Sequence, residues 1–77
     1  MPYSAFLLDA VDACFDHIAA DLEPLLPKAP ADRRTYAANY LADFLHGGLS
    51  PIALEEWKAL PRTEKTDLLQ KVVRNYF

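Results

Sequence analysis

YSAFLLDAVDACFDHIAADLEPLL, residues 3–26, is the stretch whose reading decides the fold. Stepping about 100° per residue round a helical wheel puts Leu7, Val11, Cys14, Ile18, Leu22 and Leu25 on one face, and Leu8 and Phe15 widen it. A stripe repeating at that period specifies an amphipathic helix whose apolar side faces a core. Ser4 is placed to cap its N-terminus by accepting a hydrogen bond from an otherwise unpaired backbone amide. Glu23 precedes Pro24, which disfavours helical geometry at Glu23, so the helix is predicted over about residues 4–23.

The same helix carries an acidic edge. Asp9, Asp12, Asp16 and Glu23 share one sector of the wheel, and Asp21 lies beside His17 on another. Residues 1–27 hold no Lys or Arg and contribute −5, whereas residues 28–77 contribute +2, for a net charge of −3. Helices ordinarily mix signs through i,i+4 pairs; like charges at that spacing repel by a few tenths of a kcal/mol. The plain reading is a solvated face. The functional reading is a surface for a basic partner, with the basic half of the chain itself as another source of compensation.

Downstream, Pro24, Pro27 and Pro30 make a stiff connector, and Leu25 and Leu26 are expected to fold back onto the core. A second helix is predicted over about 31–46, with Ala37, Tyr40, Leu41 and Phe44 inward, Tyr36 and Leu45 flanking, and Asn39, Asp43 and His46 outward. Gly47-Gly48 is expected to end it in the left-handed conformation that glycine adopts at little cost. Ser50-Pro51 reads as an N-cap followed by proline at the first helical position. That pair opens a third helix, about 51–60, turning Ala53, Trp57 and Leu60 inward with Ile52 and Leu54 beside them. Pro61 stops it. Thr63 is expected to cap a fourth helix, about 63–76, with Leu68, Leu69, Val72, Val73 and Tyr76 inward.

The pattern therefore predicts an all-α protein, one domain spanning 1–77 and folded as a compact four-helix bundle. At 77 residues the core is near the lower limit for a chain without metals, disulfides or a partner, which makes oligomerisation relevant. The single Cys14 excludes an intrachain disulfide framework. No run approaches the length of a membrane span and the N-terminus lacks the basic flank of a signal peptide, so a cytoplasmic protein is expected.

Chemistry is sparse. The hydroxyls of Ser4, Ser50, Thr35, Thr63 and Thr66 lie mainly at helix starts, where capping accounts for them, and no phosphate-cradling glycine loop or dinucleotide fingerprint occurs. Cys14, His17 and Asp21 share neighbouring sectors of the first helix, but a zinc site ordinarily takes four ligands, so no metal and no cofactor is expected. Carboxylate pairs such as Asp12/Asp16 and Glu55/Glu56 fall on outer faces, where burial does not split their acidities for acid–base work. The chain reads as non-enzymatic.

The segment Glu56-Trp57-Lys58-Ala59-Leu60, with Glu64-Lys65 after it, resembles the Trp-Lys stretch of an HMG box. The basic arm that such a box lays on DNA is replaced here by acids, which makes the likeness convergent. Tyr36-Ala37-Ala38-Asn39-Tyr40-Leu41 is similar to part of the second helix of the RIIa docking fold, whose short loop differs from this proline-rich connector.

Three functional classes follow. The first is a protein–protein interaction protein, an acidic inhibitor whose first helix docks through Asp9, Asp12, Asp16 and Glu23 on a basic, nucleic-acid-binding surface. A phage-type antagonist of host defence, of the anti-CRISPR kind, is its sharpest form. The second is a structural or adaptor module forming a homodimer through Phe6, Tyr76 and Phe77. The third is a helix–turn–helix binder using a basic patch of Arg62, Lys65, Lys71 and Arg74. Glu64 and Asp67 occupy the start of that helix, where bases or phosphates would be met, so direct nucleic-acid contact is disfavoured.

Overall fold

A computed structural model describes residues 3–77 as α1 (Ala5–Leu22), a single 3-10 turn (Glu23–Leu25), α2 (Pro30–Gly48), α3 (Pro51–Ala59) and α4 (Arg62–Arg74). The four helices pack against one another as an all-α bundle, and no strand occurs among the described residues. α1 is the central element: it touches α2, α3 and α4, while α2 also packs along α4. The Cα radius of gyration is 11.9 Å, close to the roughly 11.5 Å of a compact chain of this length.

The first helix forms as its sequence dictates. Ser4 is extended, and its hydroxyl oxygen accepts from the Leu7 amide at 3.1 Å. Leu7, Val11, Cys14, Phe15, Ile18 and Leu22 are all buried, one unbroken stripe against the other helices. Glu23, though it precedes Pro24, stays in the right-handed helical region; the chain tightens into the 3-10 turn with Pro24 near its start. A proline at the head of a new turn needs no amide partner, so the change of winding comes at little cost. Leu26 packs against the core, but Leu25 is 52% exposed, contrary to expectation, because the tighter turn rotates it off the stripe.

Several boundaries depart from the sequence reading. α2 begins at Pro30 and continues through Gly47 and Gly48, neither of which has a positive φ, to a C-cap at Leu49. Gly48 serves a close approach in place of the expected left-handed cap: a Cβ there would meet the Phe44 ring, with Cδ2 at 2.8 Å. α4 starts at Arg62 behind an extended Pro61, and Thr63 caps nothing; its hydroxyl donates to Glu64. Ser50 behaves as expected, accepting from the Ala53 amide at 3.3 Å.

The buried face of α2 is also rotated. Ala37, Ala38, Leu41 and Leu45 are buried, while Tyr40 and Phe44 lie half-buried at the margin. Ala37, Leu41 and Leu45 are fully enclosed where α2 meets α1 and α4, so aliphatic side chains take the centre and the aromatic ones the rim. α3 buries Ala53 and Trp57 but leaves Ile52 76% exposed. In α4, Leu68, Val72 and Val73 are buried, Leu69 is half-buried, and Tyr76 lies beyond the helix at the surface.

Candidate functional site: the acidic edge of the first helix

The edge is built by helical spacing alone. Asp9, Asp12 and Asp16 project from successive turns of α1, Asp9 and Asp16 exposed and Asp12 half-buried. Burial, and then the neighbouring carboxylates of Asp16 and Asp9, push the Asp12 carboxyl above its ordinary value. Among the described residues the one ion pair is Arg33 Nη2 to Glu23 Oε1 at 3.2 Å. Compensation from the basic half of the chain thus reaches Glu23, at the far end of the edge, and among the described residues leaves the three aspartates without a cation in pairing range.

At that far end the structure brings two sets of predicted residues together. Past the end of α4, Tyr76 and Phe77 turn back over α1. The Tyr76 ring lies 4.4 Å from that of Phe15, centroid to centroid, and the Phe77 ring meets Phe15 edge-on at 6.5 Å. The Tyr76 hydroxyl donates to Asp16. Arg33, already on Glu23, stands 5.4 Å over the Phe77 ring. Beneath these side chains lies a cleft of about 80 Å³ lined by Phe15, Ala19, Leu22, Leu26, Tyr76 and Phe77, with Glu23 on its rim. Phe6, 53% exposed, stands apart from this corner, nine residues before Phe15 and so about 13 Å further along the helix axis.

No family model, curated protein or solved structure matches this chain.

At the other end of α1 the Ser4 backbone amide and hydroxyl both donate to Glu56 of α3, at 2.9 and 2.7 Å. Those two bonds hold the Glu56 carboxyl below its usual range. A capping box normally brings its carboxylate from the third helical residue; here another helix brings it across 52 positions of sequence. Sequence reasoning missed this pairing, as it missed Arg33, because neither has a local spacing signal.

The basic residues do not form one array. Lys65 lies 5.8 Å over the Trp57 ring, and Arg62 is exposed at the head of α4. Lys71 and Arg74 border a shallow groove with Tyr3, Asp67, Gln70 and Asn75. Both sit in the last turn of α4, where cations also complement the helix dipole. Cys14 is buried, which pushes its thiol up and keeps it in the inert form, while His17 and Asp21 are exposed. Those three side chains do not converge, and no other cluster of metal-ligating groups occurs among the described residues. No described helix is long and apolar enough to cross a membrane.

Proposed function

We propose that this chain is a non-enzymatic interaction protein that docks the acidic edge of α1 on a basic surface of a partner. One observation carries the reading: Asp9, Asp12 and Asp16 stand on consecutive turns with no cation in pairing range among the described residues. Repulsion between them is relieved by a cationic partner, and a one-sign array accelerates encounter with such a partner as well as holding it. In its sharpest form the partner surface is one that otherwise binds nucleic acid, and the aspartates stand in for backbone phosphates, as in a phage-type antagonist of host defence. The test is affinity capture from lysate at low and high salt with nuclease present. Salt-sensitive recovery of a basic nucleic-acid-handling protein, lost when Asp9, Asp12 and Asp16 are changed together to Asn, supports the reading. Retention of the partner by that triple variant refutes it.

A second reading, a structural or adaptor module joining two copies, is favoured by Phe6 and Phe77, which are 53% and 40% exposed. A Phe6→Ser, Phe77→Ser variant that keeps the native mass of the wild type refutes a dimer built through those residues.

A further inference from the structure

Tyr76 and Phe77 occupy the cleft at the end of the acidic edge without closing it. Both keep about two-fifths of their surface in water, 39% and 40%, although their rings lie against Phe15. The space left beneath them, about 80 Å³, exceeds the roughly 10–15 Å³ that holds one water molecule. The plug is therefore undersized for its seat. Its seat is also charged at the rim: Asp16 takes the Tyr76 hydroxyl and Glu23 takes Arg33.

The contacts made there display the chemistry that the corner accepts. A guanidinium bonds a carboxylate while lying over an aromatic ring, and that ring lies edge-on to Phe15 beside the apolar cleft. Arg33 and Phe77 are thus an internal stand-in for a ligand segment bearing an arginine and an aromatic side chain. We propose that Tyr76–Phe77 is a displaceable latch, and that the cleft beneath it receives an aromatic anchor from an arginine-rich segment of the partner. This inference rests on the acidic-edge reading for the partner's charge and adds the apolar anchor that fixes its register. Opening the latch frees Asp16 from the Tyr76 hydroxyl and Arg33 from the Phe77 ring and leaves the charge of the edge as it was.

A latch closed about nine-tenths of the time weakens apparent affinity about tenfold relative to one held open. The probe is a short capped peptide of arginines around one phenylalanine, with a control in which serine replaces the phenylalanine, each titrated into isotope-labelled protein and followed by NMR. The phenylalanine peptide is expected to bind the wild type more tightly than the control and to shift Ala19, Leu22 and Leu26. Phe77→Ser is expected to tighten the phenylalanine peptide about tenfold and to leave the control unchanged. Ala19→Leu, which keeps the latch and fills the cleft, is expected to abolish the difference between peptides. Equal binding of both peptides to the wild type and to Phe77→Ser, or shifts confined to other faces, overturns the proposal. Should Phe77→Ser unfold, the Ala19→Leu comparison decides alone: a persisting preference for phenylalanine overturns it. The two readings fail separately, since salt-sensitive binding without a phenylalanine preference refutes the anchor only. Binding indifferent to salt and to the triple Asn variant refutes the edge.

Discussion

Asp12→Asn should make the protein more stable. Asp12 faces Asp16 one turn later and Asp9 three residues earlier, and its carboxyl titrates above its ordinary value through burial and those two neighbours. Two like-charge pairs on a helix surface cost roughly 0.4–1 kcal/mol together, at about 0.2–0.5 each. Asn and Asp have similar helix propensity, so little offsets the gain. In a domain of this size that amounts to a rise in Tm of roughly 2–8 °C. The assay is thermal unfolding by circular dichroism at low and high salt and across acid pH. Because the folded carboxyl holds its proton more tightly than the unfolded one, the wild type gains stability as pH falls through the folded value. The variant's advantage is accordingly full above the folded pKa and gone below the unfolded one. It should also shrink with salt, as the Debye length falls from about 10 Å at 0.1 M to about 3 Å at 1 M. A variant that is less stable, or an advantage unmoved by salt and acid, refutes the claim that the edge is strained by its own charge. The rise in stability should accompany weaker capture of the basic partner, which is how a surface kept for binding differs from one that is merely solvated.

Ser4→Ala removes the cap on Leu7 and the hydroxyl donor to Glu56 while keeping the amide donor, and should cost about 1 kcal/mol in urea unfolding. Glu56→Gln should weaken the same junction only above the depressed Glu56 pKa. The contribution of a lowered carboxyl is full above its unfolded value and is lost as pH falls through the folded one, so coinciding melts for variant and wild type across that whole range would refute the junction's role. Gly47→Ala should stabilise by about 0.5–1 kcal/mol, since the position is helical, has no positive φ and opens on empty space. Gly48→Ala should show no such gain, because its Cβ runs into the Phe44 ring; equal melting shifts for the two variants would contradict that packing.

The sequence by itself determined what depends on near neighbours along the chain. The α1 stripe from Leu7 to Leu22, the caps at Ser4 and Ser50, and the acidic edge all follow from helical period and local backbone hydrogen bonding. Those terms operate within a turn or two, so four helices and their order were legible. Tertiary structure decided whatever depends on which surface meets which. It seated Ala38 and Leu45 in the core and moved Tyr40 and Phe44 to its rim, because the sector of α2 that faces α1 and α4 is set by how the three helices pack and not by the apolar period of α2 alone. It kept Gly48 helical under the Phe44 ring, although a glycine pair reads locally as a left-handed stop. Above all it joined Ser4 to Glu56, Arg33 to Glu23 and Phe77, and Tyr76 to Asp16. Partners at such separations leave no periodic trace in a single sequence, since only the folding of the chain brings their side chains within bonding distance.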